Sequence, residues 1–331
     1  MRAVRLHATR DLRVEDVPPP APPRTGEVTL AVTAAGICGS DLHNFATGAW
    51  ISRAPSIAGH EFTGIVTALG ADVVHLTLGQ RVVVDSRVLC GRCPACDANL
   101  GQVCNNLGFL GEVIDGGFAE AVTLPARNVI AAPDGVPDPH LAMAEPLAVA
   151  VHALCRLDPP PGAPVLIAGA GPIGGLTALL ARRAGHPTKI TDRNAARAGR
   201  VAATTGATVV ALEDEHARFA IDTTGSDAVI AAILTAMPGA GRLALVGIGR
   251  SQPLIDPTRL VEGEINVLGS HAFTDDDLAC AAAMLPDLGH ALDAFIDARI
   301  GLDEVPAAYG RHLRGEVAGL KTIILCGTSD R

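Results

Sequence analysis

Four of the chain's eight cysteines fall within fifteen residues, CGRCPACDANLGQVC, at positions 90 to 104. The spacing C-x2-C-x2-C-x7-C, through Cys90, Cys93, Cys96 and Cys104, admits two arrangements: a pair of disulfides, or one tetrahedral metal ion. Gly91 and Pro94 turn the backbone between the thiols, which suits convergence on a single ion. Disulfides would need an oxidising compartment. The opening residues, MRAVRLHATRDLRVEDVPPP, carry no apolar stretch and no small-residue cleavage site. The nearest candidate for a membrane span, Ala163 to Ala184, is interrupted by glycines, proline and two arginines. A cytoplasmic, reducing location is therefore expected, and with it a structural zinc on the four thiols.

Composition narrows the partners. A chain of 331 residues, 48% of them hydrophobic, can build two ordinary domains with their own cores. A formal net charge of -9, with no Lys/Arg-rich block to offset it, argues against nucleic acid or an anionic membrane as partner. Aromatics are only 3% of residues, too few for stacking single strands. No repeat period is present, and the only biased tract is the proline-rich turn Pro18 to Pro23.

The texture changes near residue 150. Before it, the runs EVTLAVTAAG, EFTGIVTALG, QRVVVDSRV and GFAEAVTLP alternate and are punctuated by turns, as in a barrel-like or sandwich-like β domain. After it, PVLIAGA predicts a strand, Pro172 to Arg183 a helix ending at Gly185, KITD a strand, and Asn194 to about Thr205 a second helix. The strands TVVAL, FAIDTTG, RLALVGIG and INVLGS complete a doubly wound parallel sheet, so the fold class is α/β. Thr274 with Asp277 three residues later predicts a capped helix start.

The sheet carries phosphate-binding chemistry. VLIAGAGPIGG sets Gly169, Gly171 and Gly174 in a G-x-G-x-x-G turn between strand and helix, where backbone can approach a pyrophosphate at a helix N-terminus. Asp192 ends the next strand eighteen residues after Gly174, where a carboxylate can bind ribose hydroxyls or merely cap a turn. A carboxylate there repels a 2′-phosphate, which favours NAD over NADP. Arg193 and Arg197 could instead meet a phosphate, or frame the adenine.

A second group of ligand types lies upstream. GICGSDLH supplies Cys38, Ser40, Asp41 and His43, and GHEFTG supplies His60 and Glu61. Thiolate, imidazole and carboxylate are the donors of a zinc site with one position left open. In AEPLAVAVHAL, Glu145 heads an apolar helical run, where a first-turn carboxylate is favoured by the helix dipole whatever else it does.

With GHEFTG, the four-cysteine lobe and GAGPIG together, the chain resembles the zinc-containing medium-chain alcohol dehydrogenases over essentially its whole length. AEPLAVAVHAL, with Glu145 where liver-type enzymes present a cysteine, is similar to the branch of sorbitol, L-idonate, L-threonine and butanediol dehydrogenases. The resemblance implies a GroES-like β catalytic domain over residues 1–150, a Rossmann domain over 151–285, and a return of 286–331 to the catalytic domain. It implies two zinc ions per chain. One is catalytic, on Cys38 and His60 with Glu61 and Glu145, directly or through water; the other is structural, on Cys90, Cys93, Cys96 and Cys104. It implies NAD contacts from Pro172, Ile173, Val246, Gly247, Ile248 and Ser270 as well as from the glycines, Asp192, Arg193 and Arg197. Ser40 and His43 would relay the proton released when a secondary alcohol, made acidic by zinc, gives up hydride; a turn serine and a surface histidine are the plainer alternatives. Relatives of this kind are dimers or tetramers. Cys155, Cys280 and Cys326 match no motif and read as ordinary small apolar residues.

Two departures stand out. EDEHAR leaves no room for a helix between TVVAL and FAIDTTG, so the sheet edge is expected to be short. Ala272 stands where sorbitol and L-idonate enzymes tend to carry an arginine that grips a substrate hydroxyl, which puts a long polyol in doubt. Trp50 and Phe45 suggest an apolar pocket wall, or core. The expected function is NAD-linked oxidation of a diol, polyol or related alcohol; the alternatives are an L-threonine- or aminocyclitol-type dehydrogenase, or a zinc- and NAD-binding protein without turnover.

Overall fold

The computed structural model describes residues 1–249, 255–317 and 319–327; the last four residues of the expected C-terminal return lie outside them. Contacts divide the chain into Met1–Glu145 with Leu278–Arg331, and Pro146–Asp277.

The first unit opens with a hairpin, β1 (Arg2–Ala8) and β2 (Asp11–Asp16). β3 (Glu27–Gly36) is the EVTLAVTAAG run; it alternates half-buried and buried residues until its last three, all buried. Then come α1 (Gly39–Thr47), β4 (Ser56–Ile57), β5 (Glu61–Leu69), β6 (Arg81–Val84) and β7 (Arg87–Val88). α2 (Pro94–Asp97), β8 (Gly108–Phe109), β9 (Ala121–Pro125), β10 (Val129–Ala131) and α3 (Asp138–Leu141) follow. β5 and β9 both pair with β3, and Leu30, Val32, Phe62, Val66, Val82 and Phe118 fill the core beneath.

QRVVVDSRV is not the single strand its alternation predicts. The chain breaks at Asp85–Ser86, because the Asp85 carboxylate accepts from the Arg87 backbone N–H at 2.9 Å and from its guanidinium at 2.8 and 2.9 Å. GFAEAVTLP likewise forms β9 only in its second half; its first half bonds elsewhere, with Phe118 N–H donating to Ala58 and Glu120 N–H to Arg2.

The second unit opens within α4 (Ala144–Leu157), which begins two residues ahead of it. Its elements are β11 (Val165–Ala168), α5 (Pro172–Arg183), β12 (Thr188–Thr191), α6 (Ala195–Thr205), β13 (Thr208–Val209), β14 (Phe219–Asp222), α7 (Asp227–Ala236), β15 (Arg242–Leu245), α8 (Pro257–Gly263) and β16 (Asn266–Gly269). The six strands run parallel in the order β13-β12-β11-β14-β15-β16. β11 is buried at every position, as a strand covered on both faces must be. α6 starts where Asn194 accepts from Arg197 N–H and stops at Gly206, φ 75°. Only one tight turn, Leu212–Asp214, separates β13 from β14, so the edge is short as expected.

α9 (Asp275–Phe295) begins as Thr274 and Asp277 predict: Thr274 Oγ1 and N–H donate to Asp277 Oδ2 at 2.6 and 2.8 Å, and Asp277 N–H returns a bond to Thr274 Oγ1. β17 (Ile296–Gly301), α10 (Val305–Leu313) and β18 (Lys321–Leu325) complete the first unit, β18 pairing antiparallel with β3. Boundaries expected at about 150 and 285 fall inside α4 and α9; the division by contacts lies several residues earlier in each helix. No described helix is long and apolar enough to cross a membrane.

Candidate metal centres and dinucleotide site

Four thiolates about 2.3 Å from one ion stand about 3.8 Å apart in a tetrahedron. In the lobe between β7 and β8, Cys90 and Cys104 Sγ lie 3.4 Å apart, Cys93 and Cys96 3.6 Å, Cys93 and Cys104 3.9 Å, and Cys90 and Cys96 4.0 Å. Those are tetrahedral edges, far longer than an S–S bond of about 2.05 Å, and none of the eight cysteines is in a disulfide. The Cys90 and Asn105 backbone N–H groups donate to Cys104 and Cys93 sulfurs at 3.3 and 3.4 Å. The Asn105 bond draws the Cys93 thiol down to about 6, while burial pushes Cys96 up to about 11. Four thiolates this close need a central positive charge, and the lobe fits zinc.

The second cluster is built by one helix start and one strand start. Cys38 precedes α1, and its backbone N–H donates to Asp41 Oδ2 at 2.9 Å. The other Asp41 oxygen lies 3.2 Å from His60 Nδ1. A carboxylate on one ring nitrogen leaves the other for an ion, the usual arrangement around metal-binding histidines. Donor atoms of Cys38, His60 and Glu61 all lie within 4.8 Å of one another. Burial alone would lower the His60 pKa, yet Asp41 and then Cys38 hold it well above the ordinary value. The field that favours a proton there favours a cation, so this donor set also fits zinc.

Ser40 and His43 lie three apart on α1, and Ser40 Oγ is 3.5 Å from His60 Nε2. The His43 and Trp50 rings are 4.8 Å apart, whereas Phe45 packs edge-on to Tyr309 and joins the core. Glu145, in the first turn of α4, is not within the Cys38–His60–Glu61 group. Its Oε1 accepts from the buried Ser86 hydroxyl at 2.7 Å, and burial raises its carboxyl to about 7.

Four neighbours of this centre carry no sequence motif. Ser86 stands at the break between β6 and β7. Lys321, buried at the start of β18, is ion-paired to Glu61. Its one signal is a lysine heading the apolar strand KTIIL. Tyr309 is buried on α10, its hydroxyl without a hydrogen-bond partner in the structure and its pKa raised by burial and then by Asp41, Cys38 and Glu61. Half-buried Glu112 is raised to about 7 by burial, with His60 and Asp41 the charges acting on it. Of the remaining cysteines, Cys326 is buried, while Cys155 and Cys280 are exposed rather than packed.

In the second unit the expected cofactor residues stand at the carboxyl ends of the parallel strands, where ligands bind in doubly wound sheets. Gly169 follows β11 with φ 99°. Gly171 caps α5, with open space where a Cβ would lie, and Pro172 and Ile173 form the first turn. A Cβ on Gly174 would strike the Gly169 carbonyl. The turn thus leaves a bare backbone cradle at the start of a twelve-residue helix, which fits a pyrophosphate. Asp192 follows β12 and is already engaged: Oδ2 accepts from Ala170 N–H and Oδ1 from Asn194 N–H, both at 2.7 Å, and Arg197 reaches both oxygens at 3.0 and 3.2 Å. Arg193 is adjacent and exposed. Val246 and Gly247 follow β15, both donating to Asp222 O, and Ile248 is exposed. Ser270 follows β16 with a buried hydroxyl that has no partner.

Residues 24–134 match the family model of the alcohol dehydrogenase GroES-like domain. A 2-dehydro-3-deoxy-L-galactonate 5-dehydrogenase from Pseudoalteromonas atlantica is 31% identical, over 93% of this chain and 94% of its own. A sorbitol dehydrogenase from Bacillus subtilis is 32% identical over 81% of each chain. A solved structure from Sinorhizobium meliloti, described as a zinc-binding dehydrogenase bound to NADP, superposes with a TM-score of 0.91 at 30% identity over 98% of both chains.

Proposed function

The chain belongs to the zinc-containing medium-chain alcohol dehydrogenases, and from that premise we propose that it transfers hydride between NAD and a secondary alcohol whose neighbouring carbon also carries a hydroxyl. The observation that carries the proposal is the convergence of Cys38, His60 and Glu61, with Glu145 held close by on Ser86. Zinc on Cys38 and His60 would supply the Lewis acidity that makes an alcohol acidic near neutrality, and NAD the hydride acceptor. Asp41 holds the His60 ring by Nδ1, which would leave the other nitrogen to ligate the ion. Ser40, on the open side of that ring, accepts the alcohol proton and hands it toward His43. Glu145 can leave Ser86 to bond a second hydroxyl of the substrate, which is why a vicinal diol or polyol fits better than a monoalcohol. A polyol and a sugar acid name two of the relatives above, in keeping with that class. Ala272 offers no donor for a distant hydroxyl, so short substrates suit the site best. The cradle at Gly171 and the carboxylate of Asp192 would hold NAD, and the thiol lobe a second, structural zinc.

Glu112 supports a second reading. A half-buried carboxylate near His60 and Asp41 could meet an amine, so a 3-hydroxy amino acid or aminocyclitol belongs in the same screen. The test is NAD-linked turnover of vicinal diols, polyols, amino alcohols and simple secondary alcohols by the intact protein and by Cys38→Ala. Turnover of a diol or polyol that Cys38→Ala abolishes supports the first reading. Turnover of amino alcohols alone favours the second. NAD and zinc binding with no turnover of any of them would point to a binding protein.

A further inference from the structure

Among the described residues, none donates a hydrogen bond to the Glu112 carboxylate. Its loop, FLGEVID, begins in β8 and is fixed at several points. Glu112 N–H donates to Phe109 O at 3.1 Å, and Gly111 N–H to Ile114 O at 2.8 Å. The Ser52 hydroxyl donates to the Glu112 carbonyl at 2.8 Å. A Cβ on Gly111, whose φ is 85°, would come 2.9 Å from the backbone nitrogen of Gly59, so the loop lies against the residue that precedes His60. At the loop's start, the Phe109 ring is 6.4 Å from that of His60. A fixed backbone thus carries a bare carboxylate beside the catalytic cluster.

The loop has a cation within reach of it, and that cation is engaged elsewhere. Arg53, next to Ser52, is ion-paired to Asp115, whose Oδ1 also accepts from Ile57 N–H at 2.9 Å. Burial raises the Glu112 carboxyl to about 7, His60 opposing the rise and Asp41 adding to it. A half-buried carboxylate with no counter-ion selects by charge: it attracts an ammonium group, accepts from a hydroxyl and repels a second anion. Resting on the zinc reading above, we propose that Glu112 is the residue that sets charge specificity, favouring amino alcohols over neutral polyols of the same length and turning away alcohols that carry an anionic group. Glu145 is left to the vicinal hydroxyl, and Glu112 reads the group at the remaining end.

Glycerol, aminopropanediol and glycerate test this, because they share a vicinal diol and differ in one end group: hydroxyl, ammonium or carboxylate. For the full-length zinc protein with NAD, kcat/KM should rank aminopropanediol first and glycerate last, each about 10–100-fold from glycerol and mostly through KM. Glu112→Gln keeps the shape of the side chain and removes its charge, so it should draw the three compounds within about threefold of one another. Glu112→Lys should invert their order. A role confined to holding the loop would instead shift all three by one factor. Trp50, the chain's one tryptophan, stands two residues before Ser52, and dissociation constants from its fluorescence should follow the same order without turnover. Should none of the three be turned over, their inhibition of whichever alcohol the protein oxidises is ranked in the same way. The parent order kept in Glu112→Gln, or no order in the parent protein, would overturn the proposal. Failure of the zinc reading looks different: Cys38→Ala would leave turnover and binding of all three unchanged.

Discussion

Glu61 and Glu145 are both buried near His60, and they differ in what holds them. A lysine ammonium holds Glu61, whereas Glu145 rests on the Ser86 hydroxyl, a single bond that water or a substrate hydroxyl can replace. Glu145→Gln should therefore keep most of the bound zinc and lose turnover on the order of 10²–10⁴-fold with a vicinal diol, and less with a monoalcohol. Metal analysis beside kcat/KM on both substrates checks it; loss of zinc, or equal loss on both, would make Glu145 a fixed ligand. Asp192 is the second decisive residue. Its oxygens already accept from two backbone N–H groups and Arg197, so it is anchored where ribose hydroxyls can add to it. Charged hydrogen bonds of about 1.5–3 kcal/mol each predict an NAD preference of at least about tenfold, narrowed in Asp192→Ala. Equal kcat/KM with NADP would assign the choice to Arg193 or Arg197 instead. Cys38, His60 and Asp192 could be read from the sequence because their chemistry needs given residue types at short spacing. Lys321 meets Glu61 across 260 positions, and nothing local marks that.

The β7–β8 ribbon, with Arg87 opposite Phe109 and Val88 opposite Gly108, ends in the thiol lobe and begins beside the second metal cluster. At that end Ser86 donates to Glu145, its carbonyl accepts from Leu110 N–H at 2.9 Å, and the Phe109 ring lies 6.4 Å from that of His60. The alternation in QRVVVDSRV conceals this, because the break comes from the Asp85–Arg87 contact; α5 and α6 were legible because glycine and asparagine mark their ends. Cys93→Ser should remove one zinc and loosen the ribbon. A loss of about 3 kcal/mol in a unit of this size lowers Tm by about 6–12 °C, with a smaller fall in kcat. An unchanged calorimetric Tm would mean the lobe closes without its ion. α10 supplies a pH effect. Burial lowers the His312 pKa, helped by Lys321 and Arg311 and opposed by Asp297, while its Nε2 lies 3.0 Å from Thr322 Oγ1. The fold thus favours neutral imidazole. Below about 6.5 the unfolded chain takes up the proton first, so this contribution is present above that pH and is lost as pH falls through the folded value. His312→Gln should flatten the decline in urea midpoint between about pH 6.5 and 5; an unaltered slope would refute the assignment.

Both metal clusters belong to the unit made of Met1–Glu145 and Leu278–Arg331, yet they are enclosed differently. That unit is discontinuous: β18, near the chain's end, completes its sheet beside β3, Ile324 opposite Ala35. Strand pairing at such separation leaves no local pattern, and helical periodicity runs through α4 and α9 without marking where packing partners change. The sequence therefore suggests the return only through resemblance. The difference in enclosure predicts how the whole protein loses metal. The lobe offers four thiolates to one ion, with Cys93 and Cys104 buried, and no position is left for water. The Cys38 cluster offers two donors plus a carboxylate paired with Lys321, so an ion held there would keep a position that a chelator can occupy. Protein purified without chelator should hold two zinc ions per chain. Graded chelation should remove the catalytic ion first, abolishing turnover while circular dichroism and Tm stay close to their starting values. Only the second ion should leave together with the fold of the lobe. Added zinc should restore activity after the first step more completely than after the second. If activity and Tm fall in parallel at every chelator concentration, or if one zinc per chain is found, the division into a closed structural site and an open catalytic site is wrong.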